Sequence, residues 1–144
     1  MTTIVTTVTV HAGPDDVWGV LADLTATRLW LPGVTDARMH GDTRVCTIAG
    51  GGEIHERISD VDPARRSYRF AYLRTPLPVR DAGGTFTVEP GDAEGTAVVT
   101  LRLTFEPLDA GAAAAVEEMI RGAFGDALTS LRRYVEEKST WDAG

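Results

Sequence analysis

The C-terminal stretch constrains the fold more than any other part of the chain. Across residues 110–138, Val116, Ile120, Ala123, Phe124, Ala127, Leu128, Leu131 and Val135 recur at steps of three and four. That spacing puts them on one stripe of an α-helix. A long helix with one apolar side needs a partner surface. Each large side chain on the stripe gains roughly 1.5–3 kcal/mol on leaving water, before conformational entropy is subtracted. The residues upstream have to supply that surface, and they read as strands.

In Thr2–Val10 nearly every residue is Thr, Val or Ile, all β-branched, and Ile4, Thr6, Val8 and Val10 fall on one side of the pleat. The strand ends before Pro14, which suits the first turn of a helix. Asp15 and Asp16 suit the positive end of that helix, and Val17, Leu21 and Leu24 give it helical spacing. Residues 24–31 hold a further turn or two of helix, closed by Pro32-Gly33. Strands are then expected at residues 34–39, 44–48, 53–61, 67–74, 85–89 and 97–106. The links between them are rich in Gly, Pro and Asp: His40-Gly41-Asp42-Thr43, Ala49-Gly50-Gly51-Gly52, Asp62-Pro63-Ala64, Thr75-Pro76-Leu77-Pro78 and residues 90–95. Seven strands with short connections make antiparallel neighbours, because parallel pairs need long crossovers. The expected fold is α+β: a curved seven-stranded antiparallel sheet wrapped around the long C-terminal helix, with two short helices after the first strand. A chain of 144 residues fits one such domain over 1–144.

Charge and composition exclude several functions. The formal net charge is −7 and the pI about 4.9, with no clustered basic surface of the kind that phosphate backbones need, so nucleic acid is not an expected partner. No apolar run approaches the ~20 residues of a membrane-spanning helix, and no signal peptide is legible. Cys46 is the only cysteine, which leaves no disulfide framework, no cysteine-based zinc site and an expected cytoplasmic location. His11, His40 and His55 lie on separate segments, so no metal is expected. With no glycine-rich loop opening a helix after a strand, no nucleotide cofactor is expected either. Oligomeric state is not legible.

Alternation along the strands sorts side chains by face. Glu56 shares a face with Ile54 and Ile58, whereas Glu53, His55 and Arg57 share the other. Tyr68, Phe70 and Tyr72 form an aromatic row on the next strand, and Val99, Leu101, Leu103 and Phe105 form an apolar row on the last. Ala82, Gly84 and Phe86 share a side if the alternation there is unbroken, and the two small residues among them suggest an interior void. A carboxylate on an apolar face needs a partner. Glu56 must find an Arg or Tyr, hold water in a cavity, or protonate.

With these residues in hand, the chain resembles the START-like, Bet v 1-type superfamily, specifically its bacterial polyketide cyclase/dehydrase and lipid-transport group. The resemblance rests on the order and spacing of Pro14-Asp15-Asp16-Val17-Trp18 with Leu21-Ala22-Asp23, Trp30-Leu31-Pro32-Gly33-Val34, Gly51-Gly52-Glu53-Ile54-His55-Glu56-Arg57-Ile58, Leu77-Pro78-Val79-Arg80-Asp81 and Thr104-Phe105-Glu106-Pro107. It implies the helix-grip fold over a hydrophobic cavity. By position, residues 49–52 correspond to the gate loop of the superfamily's plant hormone receptors, and Pro76-Leu77-Pro78 to their latch. Glu56 falls where those receptors keep a pocket glutamate, and Trp30 where they place a lysine for the ligand's carboxylate. Ala82 stands where an aromatic residue is common, which would enlarge the pocket.

Inward pattern and resemblance together nominate Trp30, Ile54, Glu56, Tyr68, Phe70, Tyr72, Leu77, Ala82, Phe86, Leu101 and Phe124 as ligand-binding. The expected function is binding of a small hydrophobic or aromatic molecule, lipid- or polyketide-like, in a cavity between sheet and C-terminal helix. The alternative is a polyketide cyclase, aromatase or dehydratase in which Glu56, with Tyr68 or Tyr72, serves as general acid or base. A third reading, an interaction module, requires the interior to be packed solid.

Overall fold

The computed structural model describes residues 1–143, with side chains described through Lys138. The chain runs β1 (Thr2–Val10), α1 (Pro14–Ala22), a 3-10 turn (Leu24–Ala26), the single-turn α2 (Thr27–Trp30), β2 (Val34–His40), β3 (Thr43–Ile48), β4 (Glu53–Asp62), β5 (Ser67–Arg74), β6 (Val79–Pro90) and β7 (Ala97–Pro107). A second 3-10 turn (Ala110–Ala112) then leads into α3 (Ala113–Ala143). All seven strands lie in one antiparallel sheet of order β1-β7-β6-β5-β4-β3-β2. Only β1 and β7 are paired out of sequence order, so the first strand closes the sheet beside the last. The curved sheet and long C-terminal helix make the helix-grip fold.

The stripe on α3 behaves as its spacing predicts. Val116, Ile120, Phe124, Ala127, Leu128, Leu131 and Val135 are buried, and the helix packs mainly on β1. Ala123 is the exception and is exposed. It sits about 100° around the helix from Phe124, at the margin of the stripe. The Asp109 side chain accepts the Gly111 N–H at 2.9 Å, which steadies the entry to the helix. At the other end of the sequence, Asp23 leaves helical geometry (φ −80°, ψ 88°). Leu24 therefore belongs to the 3-10 turn and not to α1, as the spacing had suggested.

Strand β6 begins earlier than expected, at Val79 instead of residue 85. Its start is disguised by a register shift between Arg80 and Gly83 and by Asp81 in the left-handed region (φ 52°). From Ala82 onward the alternation is regular: Ala82, Phe86 and Val88 are buried. Similar irregularities lie between Val34 and Asp36 on β2 and between Ser59 and Asp62 on β4, where Asp60 has φ 51°. Bulges of this kind bend a strand and increase its twist, and here they curve the sheet toward α3. At Gly84 the curvature requires glycine. A Cβ there would overlap the Arg102 carbonyl oxygen and lie 3.0 Å from Cζ of Phe70. The Phe70 ring, not a void, occupies the space that Gly84 leaves.

The interior has two parts. A large cluster lies between the sheet, α1 and α3, and a small one joins Val34, Ala37 and Cys46, with Leu31 and Ile54 packed against it. Leu31 touches both.

Candidate functional site

Between the inner face of the sheet, α2 and α3 lies a cleft of about 350 Å³, partly open to solvent. Strands β4 to β7 form its floor with Ile54, Glu56, Phe70, Tyr72, Phe86 and Leu101. Trp30, with Leu31, Pro32 and Gly33 after it, forms one wall, and Phe124 and Ala127 on α3 form the roof. Thr75, Pro76 and Leu77 from the stiff loop before β6, together with Ala123 and Asp126, edge the mouth. The walls are overwhelmingly apolar, as period-two alternation on three of these strands dictates.

The polar end is built by strand register. Arg44 on β3 stands directly opposite Glu56 on β4, and both side chains turn inward. Arg44 Nε donates to Glu56 Oε1 and Arg44 Nη2 to Glu56 Oε2, each at 3.3 Å. Arg44 Nη1 donates to Thr27 Oγ1 at 2.9 Å, and Thr27 Oγ1 in turn donates to the Leu24 carbonyl at 2.9 Å. The guanidinium carbon is 6.0 Å from the centre of the Tyr68 ring, within cation–π range. Arg44 and Glu56 are 3% and 6% exposed, so their charges are compensated by each other and not by water. Burial alone would lower the Arg44 pKa, but the adjacent Tyr68 and Glu56 outweigh it and the net shift is upward. Burial, reinforced by the charge of Glu56, raises the Tyr72 hydroxyl above its ordinary value.

Of the residues nominated from sequence, Trp30, Ile54, Glu56, Phe70, Tyr72, Leu77, Phe86, Leu101 and Phe124 line this one cleft. Tyr68 and Ala82 do not. The Tyr68 ring lies 6.3 Å from Trp18 on α1 and 5.4 Å from Phe86, so α1 fills that end of the interior with side chains. The Tyr68 hydroxyl is buried without a hydrogen-bond partner. Ala82 is buried in the large core cluster and does not widen the cleft. The loop at residues 49–52 contributes no lining side chain. Its Gly50, Gly51 and Gly52 all have positive φ, and the Ala49 N–H donates to the Gly33 carbonyl, tying the loop to the segment after α2.

Sequence reasoning missed Arg44, Thr27 and Asp126. Arg44 follows a Gly-Asp-Thr turn and reads as a solvated strand end. Its role is legible only from its register with Glu56. On the outer face, His55 points away from the cleft, as its alternation predicts, into a surface chain in which Glu53 meets both His55 (3.1 Å) and Arg38 (2.8 Å). Among the described residues no group of His, Cys, Asp and Glu is arranged to hold a metal ion, and no helix is long and apolar enough to cross a membrane.

A curved antiparallel sheet gripping a long helix beside an interior cleft defines the class: this is a START-like, Bet v 1-type architecture. Within that class the chain belongs to the family described as polyketide cyclase / dehydrase and lipid transport, whose model matches residues 1–136. Solved structures agree on the fold. A protein from Bacillus thuringiensis superposes with a TM-score of 0.86 at 22% identity, covering 93% of this chain and 98% of that one. The aromatase/cyclase ZhuI from Streptomyces sp. R1128 gives 0.78 at 23% identity, covering 96% and 95%. The di-domain ARO/CYC BexL of the BE-7585A biosynthetic pathway gives 0.83 at 23% identity, covering 94% of this chain and 47% of that one. No curated protein sequence matches the chain.

Proposed function

We propose that the protein binds a small hydrophobic or aromatic molecule, lipid- or polyketide-like, in the cleft between sheet and α3. The observation that carries this reading is a cleft of about 350 Å³ with apolar walls and a single buried polar end, the usual form of a small-molecule site. The family description points the same way. A cytoplasmic carrier suits a chain whose one cysteine is free and buried.

Native mass spectrometry of the purified protein, with extraction of any bound molecule, tests the proposal. A discrete added mass or saturable uptake of an apolar fluorescent probe is expected, and Ala123→Trp, which plugs the mouth from an exposed helix position, should abolish either. An interior that takes up no apolar probe in the unaltered protein would overturn it.

A second reading is an enzyme of the cyclase or dehydratase type with Glu56 as base. Its support is the position of Glu56 in the cleft beside Tyr72. Two of the carboxylate's lone-pair sites are taken by N–H groups of Arg44, which leaves others to face a bound molecule. Glu56→Gln separates the readings: lost turnover with retained binding supports catalysis, whereas weakened binding with no turnover in either protein supports a carrier.

A further inference from the structure

The apolar walls of the cleft conceal an uneven distribution of charge. Beside the neutral Tyr72 hydroxyl, three charged groups of unlike sign line it: Arg44 is positive, while Glu56 and Asp126 are acidic. Arg44 is already engaged. A guanidinium carries five N–H donors, and four hydrogen bonds from Arg44 run to the protein itself: two to Glu56, one to Thr27 Oγ1 and one to the Leu24 carbonyl. An ionised carboxylate such as that of Glu56 has lone pairs beyond those two bonds and can only accept. Asp126 is exposed on α3 at the mouth and has no ion pair among the described residues. Both ends of the cleft therefore offer acceptors, and Arg44, the one cation among the described lining residues, has its charge balanced by Glu56 and a single N–H outside those four bonds.

We infer that the cleft selects neutral or cationic ligands bearing a hydrogen-bond donor, such as a hydroxyl or an amine, and discriminates against carboxylates, with Asp126 setting the choice at the mouth. The inference deepens the binding reading above and rests on it. A carboxylate entering the cleft loses its water, meets like charge at Asp126 and again at Glu56, and finds in Arg44 a cation already balanced by Glu56, with one remaining N–H that is too little to replace the lost hydration. A hydroxyl or ammonium finds an acceptor at either end. Apolar burial supplies most of the affinity and the charges supply the choice. Asp126 is in contact with water, so its contribution is screened by salt and amounts to a few-fold rather than to orders of magnitude.

Calorimetric titration with three probes of nearly equal shape tests this: naphthylethylamine, naphthylethanol and naphthylacetic acid, the last ionised to its acetate carboxylate. The amine and the alcohol should bind at least about fivefold more tightly than the acetate at low salt. Asp126→Asn should narrow the ratio of amine to acetate affinity, and Asp126→Lys should narrow it further or invert it, with circular dichroism confirming that α3 is intact. Raised salt should shrink the ratio in the unaltered protein more than in Asp126→Asn. Acetate binding as tight as that of the amine would overturn the inference while leaving the binding site standing. A ratio unmoved by either Asp126 variant would remove Asp126 from the selection. Failure of all three probes, with apolar probes in general also excluded, would overturn the binding reading itself.

Discussion

Arg44 and Glu56 face each other across the β3–β4 pair and meet inside the protein, where two 3.3 Å hydrogen bonds join guanidinium to carboxylate. A buried pair of this kind is weak evidence of net stabilisation, because both ions have left water. Loss of one partner is a different matter, since the survivor stays buried and uncompensated. Arg44→Met should cost about 3–5 kcal/mol in urea unfolding. Adding Glu56→Leu to it should recover most of that loss, because the double variant replaces the pair with apolar volume. A single variant that costs under about 1 kcal/mol would mean that Glu56 finds other compensation.

Stability should fall on the alkaline side. Burial raises the Cys46 thiol from 9.0 to about 11, and it raises the Tyr68 and Tyr72 hydroxyls as well. These groups are neutral when protonated, so burial favours the protonated form. The native state then holds protons that the unfolded chain releases, and stability declines as pH rises from the unfolded value toward the folded one. For Cys46 the window is about pH 9 to 11. Urea midpoints of Cys46→Ala should fall less steeply across that window than those of the unaltered protein, whatever the cost of the lost sulfur at neutral pH. Parallel curves would show that Cys46 takes no part. The same burial predicts that thiol reagents label Cys46 only after unfolding.

Two glycines should respond in opposite directions. A methyl group at Gly84 would overlap the Arg102 carbonyl oxygen, which is backbone and cannot swing aside. Gly84→Ala should destabilise by about 2–3 kcal/mol or prevent β6 from pairing with β7. Gly122 lies exposed in α3 with nothing within 4 Å of the position a Cβ would take. Gly122→Ala should therefore stabilise by about 0.5–1 kcal/mol, because it removes backbone freedom from the unfolded chain and raises helix propensity. Thermal unfolding of the two variants side by side reads both signs.

The strands whose burial is one-sided were legible because a period of two leaves no choice of face. Tyr68, Phe70 and Tyr72 on β5, and Val99 to Phe105 on β7, follow that rule, as does Glu56 among the isoleucines of β4. Where the chain departs from regular pleating, local pattern stops informing. The start of β6 is hidden by Asp81, whose left-handed backbone and register shift break the alternation that would have announced a strand. Tyr68 shares its inward face with Phe70, yet α1 covers the one and leaves the other in the cleft. That difference depends on how a helix packs across strands, and no spacing along β5 records it. Arg44 is the clearest case. Glu56 announces the need for a partner, but which cation answers is fixed by pairing between β3 and β4.

The Arg44–Glu56 pair is held from the far side by Thr27, and that contact gives a test joining fold to site. Thr27 Oγ1 accepts from Arg44 Nη1 and donates to the Leu24 carbonyl, both at 2.9 Å, and the residue is 1% exposed. One hydroxyl thus ties the 3-10 turn and α2 to β3. Thr27→Val keeps the shape and removes the hydroxyl, leaving a buried donor on Arg44 and a buried carbonyl short of partners, at a cost of about 1–3 kcal/mol. Thr27→Ser keeps the hydroxyl and gives up one methyl group, roughly 1 kcal/mol. The two should separate further in binding, because Arg44 and Thr27 both line the cleft. An Arg44 freed from Thr27 has a second donor to offer, so Thr27→Val should weaken the selection against carboxylate probes while Thr27→Ser preserves it. A Thr27→Val variant as stable and as selective as the unaltered protein, with Thr27→Ser the weaker of the two, would show that the methyl group of Thr27, and not its hydroxyl, holds this corner together.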